Sequence, residues 1–177
     1  MKRIAILFMT FLFCFSVVQG QNKEQTKKSQ RVALKKLEGS YVSSTAKNNF
    51  TREFPDAKNV QWKRVDTYDE AVYTNKDNQQ LKAFYDFDGV LVGTTQRKTF
   101  ADVPVKGQQQ IKKEYKDYTI GDVIFFDDNE ANSTDMILYG IQFDDEDNYF
   151  VELTKGTKKI VVHVNMEGSV FFFTELK

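Results

Sequence analysis

The sequence predicts an α+β protein in which two tandem repeats each consist of a helix followed by an antiparallel sheet of about four strands. Apolar residues recur at helical spacing in two short segments, and each segment is followed by runs that alternate apolar and polar residues. The connections between those runs are too short to hold the helical crossovers that parallel strands require, so the strands must pair antiparallel. A chain of 177 residues allows one domain, or two small ones that share a sheet.

The composition is that of a globular protein. Hydrophobic residues make up 41% and charged residues 28%, which argues against a disordered chain and against a membrane-spanning one. The 25 positive and 25 negative residues balance, so no net basic field is available to hold nucleic acid. Aromatic residues reach 14%, with 16 Phe and 8 Tyr, and such rings favour a sheet-rich core because they pack well across pleated strands.

Residues 1–20 have the pattern of a secretory signal peptide. Lys2 and Arg3 are followed by an almost purely apolar segment, residues 4–18, and then by Gly20 and a polar run. The apolar segment is 15 residues long, short of the about 20 that a membrane-spanning helix needs, so the alternative of a membrane anchor is disfavoured. We therefore predict cleavage after Gly20 and a periplasmic or secreted location.

The single cysteine, Cys14, lies inside the apolar segment. Phe13 precedes it, whereas lipoprotein processing requires a small residue there, so no lipid anchor is expected. Removal of 20 residues from the 177 leaves 157 without any cysteine. The exported chain therefore cannot form a disulfide, a thiolate metal site or a cysteine nucleophile.

Residues 21–44 are polar and locally basic, and we assign them to a linker or weak helix. Val32, Leu34 and Leu37 supply the only apolar spacing that could support a helix. A membrane-surface patch is the less favoured alternative. The basic residues of the segment are Lys23, Lys27, Lys28, Arg31, Lys35 and Lys36.

Residues 45–101 form the first predicted repeat. Its helix has an apolar stripe of Ala46, Phe50 and Phe54, a cap at Ser44 or Thr45, and an end at Pro55. Alternation then indicates strands around Val60 and Trp62 and at residues 71–74, 81–85 and 90–94. Asp88-Gly89 separates the last two runs and is a strong hairpin signal, because both residue types accept positive φ.

Residues 102–177 form the second predicted repeat. Pro104 suits the first turn of a helix whose apolar stripe is Ile111, Tyr115 and Tyr118. The predicted strands are residues 123–126, 136–143, 149–154, 159–165 and 169–174.

The two repeats can be aligned by residue number. Phe50 and Phe54 map onto Ile111 and Tyr115 at an offset of 61. The turn residues Asp86, Asp88 and Gly89 map onto Asn165, Glu167 and Gly168 at an offset of 79. The difference of 18 residues predicts an insertion in the second repeat, in the polar stretch after Phe126.

The string FPDAKNVQW at residues 54–62, with Phe50 before it and Tyr68, Tyr73 and the Asp88-Gly89 hairpin after it, resembles the PepSY-like, β-lactamase-inhibitor-like family. These are small exported bacterial proteins built from tandem copies of a helix and a four-stranded antiparallel sheet. The resemblance covers residues 46–177, although Tyr115-Lys116-Asp117-Tyr118 replaces Phe-Pro in the second repeat and no tryptophan lies near Val123. It implies a non-catalytic periplasmic protein, a binder or inhibitor of an enzyme, and the fold transfers better than the function.

A competing interpretation is a Mg²⁺-dependent phosphatase. Residues 84–91, FYDFDGVL, also look like the opening motif of haloacid-dehalogenase-type phosphatases, in which Asp86 would attack phosphorus and Asp88 would move the proton. Residues 123–129, VIFFDDN, resemble the late metal-binding pair of the same family. Only 37 residues separate Gly89 from Phe126, too few for the crossovers of a parallel sheet, so the hairpin interpretation is favoured.

Metal and catalytic sites have weaker support. Acidic runs at residues 127–130 and 144–147 invite a calcium hypothesis, but neither has alternating ligands with a central glycine and a terminal glutamate, so solvated loops are favoured. His163 is the only histidine, which excludes a site built from several histidines. No Gly-x-Ser-x-Gly motif or glycine-rich phosphate loop is present. We predict no catalytic residue, no metal site and no cofactor.

Aromatic residues supply the binding candidates. Residues 171–173 are three consecutive phenylalanines, and because successive side chains of a strand point to opposite faces, some apolar area must lie on both faces of the sheet. A patch left open there would mark an interaction site. Trp62 alternates with Val60 and is assigned to the core rather than to a binding hot spot. The candidate binding residues are Phe84, Phe150, His163, Phe171 and Phe173.

The predicted function is binding of another periplasmic or cell-surface protein, with inhibition of an enzyme as one form of it. The phosphatase and a purely structural or envelope-stress accessory remain the alternatives, and the oligomeric state stays open.

Overall fold

The computed structural model describes residues 34–144 and 146–177. The predicted signal peptide, its cleavage site and the linker up to residue 33 lie outside the described residues. The first half of the fold contains α1 (Ser44–Glu53), β1 (Lys58–Val65), β2 (Tyr68–Thr74), β3 (Gln80–Tyr85) and β4 (Leu91–Lys98). The second half contains a short 3-10 helix (Phe100–Asp102), α2 (Val105–Glu114), β5 (Thr119–Asp128), β6 (Met136–Leu138), β7 (Ile141–Phe143), β8 (Asn148–Lys155), β9 (Lys158–Asn165) and β10 (Val170–Leu176).

Eight of these strands form one continuous antiparallel sheet in the order β1-β2-β3-β4-β5-β8-β9-β10. The halves meet where β4 pairs with β5, from Gly93 opposite Asp128 to Lys98 opposite Val123. β6 and β7 pair with each other in a separate two-stranded sheet. Two helices combined with a mostly antiparallel sheet confirm the predicted α+β class.

α1 begins at a hydroxyl cap, as predicted, but at a different residue. The Ser43 hydroxyl oxygen accepts from the backbone N–H groups of Thr45 at 3.2 Å and Ala46 at 3.5 Å. The predicted cap at Ser44 or Thr45 is wrong by one or two residues, because three consecutive hydroxyl residues give the same signal. The helix buries Ala46 and Phe50 and has Phe54 as its C-cap, directly before Pro55.

α2 starts directly after Pro104, whose fixed φ suits a helix start. Ile111 is buried, and the helix ends at Tyr115, whose N–H donates to the Ile111 carbonyl at 2.9 Å. Tyr118 lies beyond the helix, so its assignment to the helical stripe is wrong. Its ring meets that of Tyr115 edge-on, with 5.6 Å between centroids.

The β3–β4 turn is held by Asp86 and Gly89. The Gly89 N–H donates to the Asp86 carbonyl at 3.0 Å, and Oδ1 of Asp86 accepts from the N–H groups of Asp88 at 2.9 Å and Val90 at 3.0 Å. Gly89 has a φ of +74°, whereas Asp88 is not among the residues with positive φ. The expectation of positive φ at both is therefore wrong, and the loop has one left-handed glycine instead.

The β9–β10 turn is built in the same way. The Gly168 N–H donates to the Asn165 carbonyl at 2.9 Å, and Oδ1 of Asn165 accepts from the Ser169 N–H at 2.8 Å. Gly168 has a φ of +78°. Each turn packs against the first turn of the helix in its own half, so the two turns set both helices on the sheet.

Residues 136–143 form two strands, not the single strand predicted. The chain reverses at Tyr139 and Gly140, which both have positive φ, at 52° and 76°. Gly140 is the one turn signal in the run, and the prediction failed because apolar residues flank it closely on both sides and Tyr139 lacks the turn preference of Asn, Asp or Gly. We call β6 and β7 with this turn the β6–β7 hairpin. It lies between β5 and β8, within the stretch where an insertion was predicted.

The helices and the β6–β7 hairpin cover opposite faces of the sheet. On the helix face, α1 sets Phe50 edge-on to Tyr73 and to Trp62, with centroids 5.1 and 5.3 Å apart, in agreement with the assignment of Trp62 to the core. α2 packs there on a cluster that includes Ile111, Val123, Val151, Val162 and Val164. On the other face, the β6–β7 hairpin closes a cluster that includes Tyr68, Phe84, Val92, Phe126, Phe150 and Val161.

Residues 34–43 are not helical, so of the two alternatives given for residues 21–44, a linker or a weak helix, the described part does not form the helix. The segment is tied to the sheet through Asp69, which is fully buried. Asp69 accepts from the Ser43 N–H at 2.7 Å and from the Arg64 guanidinium through two bonds of 2.8 Å. Arg64 also donates to the Glu38 carbonyl at 2.6 Å, which holds the segment against β1.

Candidate binding site

The sheet face opposite the two helices is the candidate functional surface, and we call it the hairpin face. The β6–β7 hairpin covers its middle through the buried side chains of Met136 and Phe143. An opening remains on each side, one over β2 and β3 and the other over β9 and β10.

Four of the five predicted binding residues come together at the second opening. Phe150, His163 and Phe171 are neighbours across β8, β9 and β10, and Phe173 joins them. The imidazole centroid lies 5.1 Å from that of Phe171, 5.8 Å from Phe173 and 6.3 Å from Phe150. Phe84 lies apart on β3, where it packs edge-on to Tyr68 at 6.1 Å.

The members of this group differ in exposure. Phe84 and Phe150 are buried, so they support the surface without being able to touch a partner. Phe171 is 50% exposed, and the adjacent Phe172, which was not among the candidates, is 60% exposed. The edge strand β10 therefore presents Phe171 beside a half-buried histidine, whereas the Phe172 side chain, next along the strand and opposite Val162, points to the other face.

A cavity of about 240 Å³ opens beside this aromatic cluster. We call it the His163 cavity. Two buried atoms of its lining residues, Nδ1 of His163 and Oδ1 of Asn148, have no hydrogen-bond partner. Asn148 is 4% exposed, and its amide nitrogen donates to the Glu146 carbonyl at 3.0 Å, which leaves the oxygen as an acceptor. The lining residues are Ile141, Gln142, Phe143, Asp144, Glu146, Asn148, His163, Phe172 and Phe173.

Burial controls the protonation of His163. It lowers the pKa of the imidazole below the usual 6.5, and the carboxylate of Asp144 opposes this shift. At neutral pH the ring is therefore neutral, and one of its nitrogens is a hydrogen-bond acceptor. An unmet buried acceptor costs free energy, so the His163 cavity suits a group that donates hydrogen bonds.

In the opening over β2 and β3, the buried negative charge is already neutralised by lysines of this chain. Its cavity of about 470 Å³ is lined by Phe84, Glu70, Lys82 and Tyr139, among others. The buried carboxylate of Glu70 is ion-paired with Lys63 at 3.2 Å and with Lys82 at 3.3 Å. Since its one buried charge has two partners, this opening is the weaker candidate for binding.

The surroundings of Asp86 do not support the phosphatase interpretation. β3 and β4 pair antiparallel on either side of it, whereas the motif would need Asp86 at the carboxyl end of a parallel strand. Oδ1 of Asp86 accepts from the backbone of its own turn, and Oδ2 accepts from the amide of Asn132 at 3.0 Å and the hydroxyl of Thr134 at 3.2 Å. Asp86 thus fixes the turn and attaches the segment after β5 to it.

The acidic runs at residues 127–130 and 144–147 are joined by a hydrogen bond. The carboxylate of Asp147 accepts from the Asp128 N–H at 2.8 Å, which joins the two loops. Burial, together with Asp147 and Glu130, raises the pKa of Asp127, so negative charge is concentrated in this region. Across residues 34–144 and 146–177, no group of three or more His, Cys, Asp or Glu side chains is placed to hold a metal ion.

Sequence reasoning missed the polar residues of the His163 cavity. Asn148 begins β8 and Asp144 follows β7, and in the sequence both belong to a run of acidic and amide residues that is typical of solvated loops. The signal that could have found them is the antiparallel pairing of β8 with β9, because it brings Asn148 and His163 to the same face of the sheet.

Comparison with known proteins shows likeness of fold alone. No protein-family model matches the chain, and no curated protein matches its sequence. A BLIP-like protein of Bacteroides fragilis matches with a TM-score of 0.59 and 15% identity over 77% of this chain and 89% of that one. A DUF2874 family protein of Bacteroides uniformis matches with a TM-score of 0.60 and 14% identity, over 74% and 87%. A protein of Bacteroides eggerthii, provisionally described as periplasmic, matches with a TM-score of 0.61 and 14% identity, over 76% and 89%.

The fold is therefore BLIP-like. Neither helix in the described part of the chain is long and apolar enough to cross a membrane.

Proposed function

We propose that this chain is a non-enzymatic binding module that acts in the periplasm or outside the cell and binds another periplasmic or cell-surface protein. The binding surface is the part of the hairpin face over β9 and β10. The observation that carries the proposal is the exposure of Phe171, 50%, with its ring centroid 5.1 Å from that of His163 beside the His163 cavity. Large aromatic side chains at the rim of a polar cavity are typical of the anchors of protein interfaces.

The roles of the five candidate residues follow from their exposure. Phe171, His163 and Phe173 contact the partner. Phe150 lies beneath them and fixes their positions through ring contacts. Phe84 supports the hairpin face farther away, against Tyr68.

The proposed location rests on residues 1–20. They have the charge, apolar length and small-residue end of an export signal that is cleaved after Gly20. A protein of the same fold is provisionally described as periplasmic, which agrees with this location. The likeness to a BLIP-like structure supports inhibition of an enzyme as the form that binding takes.

The proposed domain plan is a tandem repeat of residues 45–101 and 102–177, in line with the PepSY-like resemblance. The similar β3–β4 and β9–β10 turns support it, because each places a left-handed glycine against the helix of its own half. Ala46 and Gly107, which meet those glycines, stand at the same offset of 61 as the helical residues Phe50 and Ile111.

Capture of the partner tests the proposed function. Residues 21–177 serve as bait in an extract of exported proteins, as the parent chain, as Phe171→Ser and as Phe87→Ser. Phe87 is the matched control, because it is 48% exposed against 50% for Phe171 but lies in the β3–β4 turn. We expect Phe171→Ser to lower capture of the same protein, identified by mass spectrometry, by about tenfold or more.

Phe87→Ser is expected to leave that capture unchanged. Equal capture by all three baits would place the interface elsewhere on the molecule. The absence of any specifically captured protein would overturn the binding function itself.

A further inference from the structure

We propose that the His163 cavity receives a basic side chain of the partner protein, an arginine guanidinium in preference to a lysine ammonium. The inference rests on the proposed function and adds the chemical group that is recognised. It depends on the unmet acceptors of the cavity, on the charge around it and on the aromatic residues of its wall.

The acceptors require a donor. Nδ1 of His163 and Oδ1 of Asn148 are buried and have no hydrogen-bond partner, and both residues line the same cavity. Asn148 is almost completely buried, so the unmet oxygen is not a feature of a solvated surface side chain. With the imidazole proton on Nε2, Nδ1 is an acceptor like Oδ1 of Asn148, and a group that brings several N–H donors removes the cost of both unmet acceptors at once.

The charged residues that line the cavity favour a cation over an anion. Asp144 and Glu146 line it, and no lysine or arginine does. The surrounding 38 residues, 117–154, contain 11 acidic residues and no lysine or arginine. Of these acidic residues, Asp144 and Glu146 line the opening itself, whereas Asp117 and Asp122 are ion-paired elsewhere, with Lys155 at 3.1 Å and Arg97 at 3.2 Å. Such a field attracts a basic partner and opposes an acidic one.

The wall of the cavity favours guanidinium over ammonium. Phe143 and Phe173 line it with ring centroids 5.9 Å apart, and a planar guanidinium can stack on aromatic rings while its edge donates hydrogen bonds. Its five donors in a fixed plane can serve acceptors on different walls, whereas an ammonium is a compact and strongly hydrated charge. A volume of about 240 Å³ is sufficient for the end of one such side chain.

Short peptides provide the test. The probes are acetyl-Val-Arg-Val-amide and the same peptide with lysine or citrulline in place of arginine, since citrulline keeps the shape of arginine and lacks its charge. Each is titrated into isotopically labelled residues 21–177 near neutral pH and at about 0.15 M salt, and the NMR signals of the His163 ring and the Asn148 amide are followed. We expect saturable shifts of both signals, with arginine bound about tenfold more tightly than citrulline and lysine between them.

Two variants locate the interaction. Asp144→Asn removes a carboxylate from the cavity and is expected to lower the arginine peptide's affinity about tenfold, toward that of citrulline. Asp77→Asn removes the same charge in the exposed turn between β2 and β3 and is expected to leave the affinity unchanged. Both substitutions are at exposed positions, so both variants should fold.

Several outcomes would overturn the inference. These are equal binding of the arginine and citrulline peptides, shifts confined to residues away from His163, and no binding of any probe. If a probe failed while Phe171→Ser still abolished capture of the partner, the guanidinium assignment would be wrong and the proposed function would stand. If Arg31→Gln alone shifted the His163 and Asn148 signals, the occupant would be the chain's own basic segment rather than a partner.

Discussion

Single residues decide how the helices are attached to the sheet. A Cβ atom placed on Gly89 would lie 2.9 Å from the backbone nitrogen of Ala46, and one on Gly168 would lie 2.9 Å from Cβ of Lys106. Both glycines also have φ near +75°, at +74° and +78°, a region that other residues enter at a cost of about 1–2 kcal/mol. Backbone conformation and close approach therefore require glycine at the same two positions.

Gly89→Ala tests this double requirement against Gly156→Ala. Gly156 also has positive φ, at +60°, but a Cβ there meets nothing within 4 Å. We expect Gly156→Ala to lower the free energy of unfolding by about 1 kcal/mol, the conformational part alone, and Gly89→Ala to lower it by about 3 kcal/mol because the contact with α1 is added. Urea unfolding followed by circular dichroism measures both. Equal losses would show that α1 gives way without cost and that the turn does not fix its position.

At the scale of elements, the β6–β7 hairpin acts as part of the core rather than as a surface loop. Phe143 is buried and sets its ring edge-on to those of Phe126 at 5.2 Å, Phe150 at 5.0 Å and Phe173 at 5.9 Å. The hydroxyl of Tyr68 donates to the carbonyl of Asp135 at 2.8 Å, which fixes the start of the hairpin to β2. The wall of the His163 cavity is therefore held by packing on both sides.

Side-chain truncations in β7 test whether the β6–β7 hairpin packs as part of the core or only lies loosely over it. Phe143→Ala should lower the free energy of unfolding by about 3–5 kcal/mol, the usual cost of removing a buried phenylalanine ring. Ile141→Ala, two residues away and partly exposed, should lower it by less than about 1 kcal/mol. Thermal or urea unfolding gives both values. If Phe143→Ala were as mild as Ile141→Ala, the hairpin would be detached from the core, and the cavity wall would not be rigid.

The elements differ in how far the sequence predicts them. The Asp86–Gly89 and Asn165–Gly168 turns are predictable, because glycine and side-chain acceptors at fixed spacing specify a tight reversal. The positive φ of Tyr139 is not, since tyrosine has no local preference for it, and the residue is held by contacts formed on folding, with Glu152 through its hydroxyl at 3.1 Å and with the rings of Phe150 and Phe173. The pairing of β4 with β5 also requires the three-dimensional structure, because alternation identifies strands but not their neighbours in the sheet.

The candidate site was predictable only in part, for a similar reason. The alternation of His163 with Val162 and Val164 places His163 on the face opposite those valines, and the structure has it there. The unmet oxygen of Asn148 depends on which groups reach it after folding. A sequence gives the acceptors of a chain but does not show which of them lack donors.

At the scale of the whole molecule, one sheet and one shared cluster join the two halves. The β4–β5 pairing runs through six register positions, and the cluster under the β6–β7 hairpin combines Tyr68, Phe84 and Val92 of the first half with Phe126, Phe150 and Val161 of the second. Neither half can unfold without exposing its side of this cluster. The proposed repeats are therefore expected to behave as one cooperative unit.

The chain provides one natural probe in each half for testing this cooperativity. Trp62, the only tryptophan, lies in β1 against Phe50, and His163, the only histidine, lies in β9. We expect tryptophan fluorescence and the NMR signals of the His163 ring to report the same urea midpoint and the same slope, because a single transition exposes both.

Gly93→Val is the informative variant, since a Cβ at Gly93 would lie 2.6 Å from the Asp127 carbonyl and 2.7 Å from the Phe126 ring, at the junction of β4 and β5. It should lower both midpoints together. Two separate midpoints in the parent chain would mean that the halves are independent domains, and the shared cluster would then contribute little to holding them together.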